Sequence, residues 1–155
     1  MSSYIYAFDL SMSDTGIAIF DLEGHIEKVC SIATKDSDSH GKRLKTIYDF
    51  ILELTKEYPV EKVIIERAFS RFNTATAVIF RVHGLINFMF WDKEQIYYTP
   101  KAVKAEIVSG KSTKKQIQES IIIHYPEINF ENEDESDAAS IGFTYFIKNG
   151  TIAWR

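Results

Sequence analysis

The chain has 155 residues, of which 45% are hydrophobic and 14% aromatic. This composition suits a folded domain with a single core and excludes a disordered protein. The one cysteine, Cys30, excludes a disulfide scaffold and favours a reducing, cytoplasmic setting. No apolar run is long enough to cross a membrane, and no basic segment precedes an apolar one at the start, so we expect neither a membrane anchor nor a signal peptide.

The net charge of −4 hides an uneven distribution of charged residues. Residues 62–118 carry a net charge of +6, whereas 1–61 and 119–155 carry −5 each. Cations of the basic middle segment include Arg67, Arg71, Arg81, Lys101, Lys104, Lys111, Lys114 and Lys115. A phosphodiester substrate needs positive charge along its backbone, next to acidic residues that can bind a metal ion. The charge pattern therefore favours a nucleic acid as partner despite the acidic total.

The first part of the chain predicts an antiparallel meander followed by a helix and one more strand. Alternating and β-branched runs predict strands over 4–10, 15–22 and 25–34. Apolar residues at helical spacing predict a helix over 42–58. The next strand, over 62–66, is reached through that helix, so we expect it to lie parallel to the first strand.

The second part of the chain predicts alternating helices and one strand. A helix over 75–91 is apolar on more than one face, which indicates contact with a partner as well as with the core. The remaining predicted elements are a strand over 95–98 and helices over 100–108, 113–124 and 134–148. This order predicts an α/β, RNase H-like fold over residues 1–155 as one domain. Its mixed five-stranded sheet has three antiparallel strands, then two parallel ones, with helices on both faces.

Carboxylates stand at the ends of two predicted strands and at the opening of the last helix. Asp9 ends the first apolar run, and Glu66 ends the strand over 62–66. Asp134 and Asp137 are three residues apart and share one helix face. If the three elements are neighbours, four carboxylates converge, and their repulsion requires a divalent cation to keep them ionised.

Five segments in this order and spacing match one known family. They are Phe8-Asp9-Leu10-Ser11 with Thr15-Gly16, Ile65-Glu66-Arg67-Ala68-Phe69, Val103-Lys104, Lys114-Lys115-Gln116-Ile117-Gln118, and Asp134-Glu135-Ser136-Asp137-Ala138-Ala139. On these segments the chain resembles the RuvC family of Holliday-junction resolvases, and most of all those carried by phages of Gram-positive bacteria. It departs from the family at Leu10-Ser11, where a Pro-Gly turn is usual, and in its shortened loop at 109–112.

The resemblance implies a metal-dependent endonuclease that resolves four-way DNA junctions by paired, symmetric nicks leaving 5′-phosphates. It implies that Asp9, Glu66, Asp134 and Asp137 are catalytic metal ligands for Mg²⁺, with two ions per site and Mn²⁺ able to substitute. Mg²⁺ prefers carboxylate oxygens and water, and two ions can activate water and stabilise the leaving oxygen. One alternative stays open here, namely that Asp134 caps the helix and Glu133 is the ligand.

The resemblance also implies roles for basic and aromatic residues. Lys114, and with it Lys104, is expected to contact the phosphate or its transition state, although both could be ordinary solvated charges. Lys111 and Lys115 are expected to bind DNA only. Arg67 and Arg71, in the loop after Glu66, are also expected to bind DNA. Phe69 lies between them and is expected to stack on a base, although it could belong to the core.

Paired nicks require two active sites in fixed relation, so we expect a homodimer that forms through the helix over 75–91, with Ile86 among its interface residues.

Two other functions stay open: a different RNase H-like nuclease that acts on branched DNA or an RNA–DNA hybrid, and a non-catalytic junction-binding protein. The sequence specifies no helicase partner and no cleavage preference.

Overall fold

The computed structural model describes residues 2–68 and 74–154. Its strands are β1 Tyr4–Asp9, β2 Asp14–Phe20, β3 Ile26–Ala33, β4 Val60–Glu66 and β5 Glu94–Tyr98. Its helices are α1 His40–Glu57, α2 Thr74–Met89, α3 Pro100–Ile107, α4 Lys114–His124 and α5 Glu133–Lys148. None of the helices in these two ranges has the length and apolar character needed to cross a membrane.

The five strands form one sheet in the order β3-β2-β1-β4-β5. Strands β1, β2 and β3 pair antiparallel as a meander, while β4 pairs parallel to β1 and β5 parallel to β4. This arrangement confirms the predicted mixed sheet and its central first strand. Two parallel neighbours end at the same edge, so the carboxyl ends of β1 and β4 lie side by side.

Both faces of the sheet are covered, because alternate residues of the central strands point to opposite faces. Ile5 and Ala7 of β1 pack with the helices α3, α4 and α5. Tyr6 and Phe8 of the same strand pack with α1 and α2 on the other face. All four side chains are almost fully buried, which explains why β1 is apolar throughout its length until Asp9.

Helix α5 lies unusually close to the meander because small residues stand at the contact. A Cβ at Gly16 would come within 2.0 Å of the Asp134 carbonyl oxygen, and one at Gly142 within 2.1 Å of the Phe20 ring. Ala138 and Ala139 on the same helix are fully buried. Close packing therefore fixes the start of α5 against β2, beside the end of β1.

Several predicted boundaries move by one or two residues. Helix α1 begins at His40 because the Ser39 side chain caps it, two residues before the predicted start. Strand β4 begins at Val60, not at residue 62. Helix α2 ends at Met89, so Trp91 follows the helix rather than ending it.

Candidate active site

Four carboxylates meet where β1 and β4 end. The parallel register pairs Phe8 with Ile65, so the next residues, Asp9 and Glu66, lie side by side. Carboxylate oxygens of Asp9, Asp134 and Asp137 all lie within 4.8 Å of one another. Glu66 lines the same two cavities as Asp9. The structure thus brings together all four carboxylates that the sequence singled out.

The start of α5 bears on the choice between Asp134 and Glu133. Asn132 is the N-cap, since its side chain accepts a hydrogen bond from the Glu135 amide at 3.0 Å. The suggestion that Asp134 is the cap is therefore wrong. Glu133 is exposed, and its Oε2 lies 3.7 Å from Lys114 Nζ on the rim of the site. The position of Asp134 inside the carboxylate cluster favours it over Glu133 as a ligand.

Burial and mutual repulsion act on these carboxylates in the metal-free protein. Burial, followed by the charges of Asp137, Glu66 and Asp134, raises the pKa of Asp9 to about 8. Burial and then Asp137 raise the pKa of Glu66 to about 7, while Lys114 and Lys104 act in the opposite direction. Such shifts are expected where carboxylates are assembled to share a cation.

These shifts predict a pH-dependent stability. An unfolded carboxyl titrates near pH 4, so between about pH 4 and pH 8 the folded state binds more protons at Asp9 and Glu66 than the unfolded state. In EDTA the melting temperature should therefore fall as the pH rises through this window. Asp9→Asn removes one buried charge and should raise the melting temperature at pH 8.5 by roughly 5–10 °C, with a much smaller gain at pH 5.

Thermal melts of both proteins at the two pH values, with Asp92→Asn as an exposed control, measure this effect. Mg²⁺ at pH 8.5 should stabilise the wild type and the control but stabilise Asp9→Asn far less. Equal melting temperatures for the wild type and Asp9→Asn at pH 8.5 in EDTA would show that the cluster is not under electrostatic strain.

A cleft of about 220 Å³, here called the lysine cleft, opens beside the carboxylates. Its walls include Asp9, Glu66 and Asp137 together with Lys104 and Lys114. Lys114 Nζ donates a hydrogen bond to Asp137 Oδ2 at 2.9 Å, and this bond raises the pKa of the lysine. Both lysines therefore lie at the carboxylate cluster and are not isolated surface charges.

The other cations predicted to contact DNA lie further out. Lys111 is exposed in the turn between α3 and α4, which is closed by a hydrogen bond from the Ser112 amide to the Ser109 carbonyl oxygen. The Lys115 side chain is 85% exposed. Arg67 is exposed, and its amide donates to the Tyr98 carbonyl oxygen at 2.7 Å. Phe69 and Arg71 lie outside the described residues.

A fifth carboxylate, Asp14, lies near the site, although its place between the first two predicted strands is typical of an ordinary turn residue. Asp14 begins β2, its Oδ1 is buried without a hydrogen-bond partner in the described part of the chain, and its charge is second only to burial in raising the pKa of Asp134. The buried Arg43 contacts the preceding turn, since its guanidinium donates to Ser13 Oγ at 3.4 Å as well as to Thr34 Oγ1 at 2.7 Å. Only the contact between β2 and the start of α5 reveals this proximity, so no local sequence signal could have found it.

A second cavity, of about 420 Å³ and here called the side cavity, adjoins the Asp9 and Glu66 pair. It runs along α2 and is lined there by Ala75, Ile79 and His83. His83 is 6% exposed and is therefore packed within the domain. The two cavities share Asp9, Glu66 and Pro100 as a common wall.

Helix α2 carries two apolar faces, as predicted. Val82 and Ile86 are fully buried in the core of the domain itself. Ile86 is therefore wrong as an interface residue. The outward face forms an apolar stripe, defined here as Ala77, Phe80, Gly84, Phe88 and the following Trp91, all of them exposed. Phe88 and Trp91 are 74% and 78% exposed, so the stripe presents large apolar side chains to solvent.

The donor set of the carboxylate cluster suits a hard divalent cation. Asp9, Asp134 and Asp137 each offer an oxygen within a space that one ion can span, and Glu66 stands next to Asp9. Neither cysteine nor histidine takes part in this group of three. Oxygen-only ligation is typical of Mg²⁺ and Mn²⁺ and not of zinc.

Comparison with known proteins gives one consistent result. A family model described as "Crossover junction endodeoxyribonuclease RuvC" matches residues 7–145. The protein of that name from Alkaliphilus metalliredigens is 34% identical over 126 residues, which cover 77% of each chain. Its namesake from Ralstonia pickettii is 27% identical over 161 residues, covering 96% of this chain and 86% of its own.

Solved structures show the same fold. Thermus thermophilus RuvC in complex with Holliday junction substrate superposes with a TM-score of 0.81 at 14% identity, covering 96% of this chain and 97% of that one. The yeast mitochondrial Holliday junction resolvase gives a TM-score of 0.69 at 12% identity, with coverage of 97% and 82%. The predicted RNase H-like arrangement is thereby confirmed. With a family match over most of its length and a relative above 30% identity, the chain belongs to the RuvC family of crossover junction endodeoxyribonucleases.

Proposed function

We propose that this protein is a metal-dependent endonuclease that resolves four-way DNA junctions by paired, symmetric nicks leaving 5′-phosphates. The observation that carries the proposal is the carboxylate cluster at the ends of β1 and β4, flanked by the lysine cleft, in a member of the RuvC family. Residues 1–155 act as one nuclease domain in this proposal, which places the enzyme in the cytoplasm. A phage origin stays a prediction.

The carboxylates and the lysines of the site have separate roles, in metal binding and in contact with the phosphate. Asp9, Glu66, Asp134 and Asp137 would hold Mg²⁺, or Mn²⁺ in its place, at a two-ion site. When bound, such ions supply the charge that activates water and stabilises the leaving 3′-oxygen. Lys114, held by Asp137 at 2.9 Å, is poised to contact the phosphate as negative charge develops on it. Lys104 lies in the same cleft and contributes a second positive charge.

DNA outside the cleft would be held by more exposed groups. Lys111 and Lys115 are solvent-exposed and suit contacts with the phosphate backbone, which give affinity but no chemistry. Arg67 lines the side cavity and can contact a phosphate or stack on a base. Phe69 and Arg71 are proposed as the stacking residue and a further DNA contact on sequence grounds alone.

The different positions of the lysines predict separable effects. Lys114→Ala should lower the single-turnover cleavage rate much more than it lowers junction affinity, because its partner is a carboxylate of the site. Lys111→Ala and Lys115→Ala should weaken binding and reduce the slope of log affinity against log salt by about one unit each. Lys42→Ala, which removes a similarly exposed lysine from α1, is the control.

Binding titrations at several salt concentrations, together with single-turnover cleavage, measure both effects. Lys114→Arg should restore part of the rate, since it restores the charge. If all three lysine variants lose rate and affinity in the same proportion, Lys114 has no separate role.

The apolar stripe on α2 supports a homodimer. Phe80, Phe88 and Trp91 are exposed on α2 and the turn after it, and clustered apolar side chains on a surface indicate an interaction site. A two-fold contact would bury the stripe against itself, and the exposed Gly84 allows two helices to approach closely. Helix α2 begins eight residues after Glu66, so the same contact would hold the two carboxylate clusters in a fixed relation.

Two other functions predict different substrates. A nuclease for RNA–DNA hybrids would cut hybrids better than junctions, and a non-catalytic binder would cut neither. The carboxylate cluster argues against the binder, because uncompensated negative charge beside phosphate opposes binding. Cleavage of a four-way junction, a three-way junction, a duplex and an RNA–DNA hybrid, each with Mg²⁺ and with EDTA, separates the three. We expect Mg²⁺-dependent cleavage of the four-way junction well above the others.

A further inference from the structure

The side cavity has the shape and lining of a small-molecule subsite, although it adjoins a site for a polymer. Its volume of about 420 Å³ lies within the range of ligand pockets. Leu10, Ala68, Ala75 and Ile79 give it mostly apolar walls, and His83 is the one histidine that lines it. Apolar walls with a few polar groups can stack a flat heterocycle and also read its edge.

The histidine in this cavity has unused hydrogen-bonding capacity. Its ring contacts Phe80, with the centroids 6.0 Å apart, and no hydrogen bond to it is found in residues 2–68 and 74–154. Burial lowers the pKa of His83, so the imidazole is neutral near pH 7 and offers one donor and one acceptor. The imidazole can therefore offer these two groups to the edge of a flat heterocycle in the cavity.

The residues that line both cavities indicate which ligand could enter the side cavity. Asp9 and Glu66 line both the side cavity and the lysine cleft, where the phosphate would lie, so the two cavities adjoin. A nucleotide whose phosphate occupies the lysine cleft can therefore place its base in the adjoining side cavity. Bases at a branch point are the least costly to unstack, because their pairing is already disturbed.

We infer that the side cavity is a subsite for one unstacked nucleobase adjacent to the cleaved phosphate, and that His83 contacts its edge and so contributes to sequence preference. This inference rests on the proposed junction cleavage and names a specificity-determining residue for it. The apolar walls hold any base by stacking and desolvation, whereas His83 distinguishes bases by their donors and acceptors.

Two variants test the subsite in different ways. Ala75→Trp fills the cavity from an exposed position on α2, and His83→Ala removes only the polar contact. His83→Gln keeps a donor and an acceptor, and His25→Ala is a control for an exposed histidine elsewhere. Melting temperatures of all four variants show that each is folded.

The first readout needs no cleavage. Junctions carry 2-aminopurine at single positions around the branch point and are bound in EDTA. We expect the wild type to change the fluorescence at one nucleotide next to the cleaved phosphate, and Ala75→Trp to abolish that change with junction affinity altered less than about 3-fold. An Ala75→Trp protein that gives the wild-type signal at every position would overturn the inference.

The second readout is base preference. Single-turnover rates are measured on four junctions that differ only at that nucleotide. His83→Ala should reduce the ratio between the fastest and slowest junctions by roughly 3- to 10-fold, the worth of one hydrogen bond. His83→Gln should retain part of the preference or shift it. A uniform loss of rate with an unchanged ratio would assign His83 to packing alone.

The two proposals fail in different ways. Absence of Mg²⁺-dependent cleavage by the wild type on every junction would contradict the proposed function, while the fluorescence signal would still decide whether a base enters the cavity. Normal cleavage by the wild type with no effect of either variant would contradict only the subsite.

Discussion

Asp9→Asn should lower the rate of junction cleavage by at least about 100-fold. Even partners that only orient a metal ligand cost 10–100-fold when they are removed, and Asp9 lies in the carboxylate cluster itself. Junction affinity should stay the same or increase, because one negative charge that repels phosphate is lost. Glu66→Gln and Asp137→Asn should behave alike, since all three residues line the lysine cleft.

Single-turnover cleavage and gel-shift titration in the same buffer measure this prediction. Asp92→Asn, which removes an exposed carboxylate from the turn after α2, should keep wild-type rate and affinity. Turnover by Asp9→Asn within a few-fold of the wild type, or full wild-type activity in EDTA, would exclude a metal site built on these carboxylates.

Gly84→Glu should convert the protein into a monomer without unfolding it. A Cβ at Gly84 meets no atom within 4 Å in one protomer, and Glu has a higher helix propensity than Gly, so the fold should be unharmed. In a two-fold contact the charge is introduced twice into an apolar interface, which should weaken association at least roughly 100-fold. Phe88→Glu should have the same effect.

Sedimentation equilibrium measures the association, and a cruciform plasmid measures its consequence. The wild type should produce linear plasmid from paired nicks in one binding event, whereas Gly84→Glu should give nicked circles or no product. Gly41→Glu is a closely matched control, because Gly41 is also exposed, helical and free of contacts around its Cβ, but it lies on α1. Monomeric Gly41→Glu, or dimeric Gly84→Glu, would show that the stripe is not the interface.

The carboxylate cluster could be predicted from sequence because its members stand at points that the backbone geometry defines. Asp9 and Glu66 end two strands that a helix connects, and parallel neighbours must end at the same edge. Asp134 and Asp137 share a helix face by their spacing. Ala138 and Ala139 are small enough for this helix to lie close to the sheet.

The remaining features depend on contacts between distant segments, which local patterns do not specify. Asp14 approaches Asp134 only because Gly16 lets the backbone of α5 pack against β2. The side cavity exists because α2 crosses near the ends of β1 and β4, and nothing in the spacing of His83 gives its distance from Asp9. Ile86 was placed in the interface because a helix that is apolar on two faces does not show which face meets its own core.

Cleavage of a synthetic four-way junction by the purified protein is the decisive test of the proposed function. Each strand is labelled at its 5′ end in turn, and the reaction is run with Mg²⁺ and with EDTA. We predict paired nicks at symmetric positions on two opposing strands with Mg²⁺ only, and products that DNA ligase reseals because each nick carries a 5′-phosphate. An intact junction in Mg²⁺, or equal cleavage in EDTA, would contradict the proposed function.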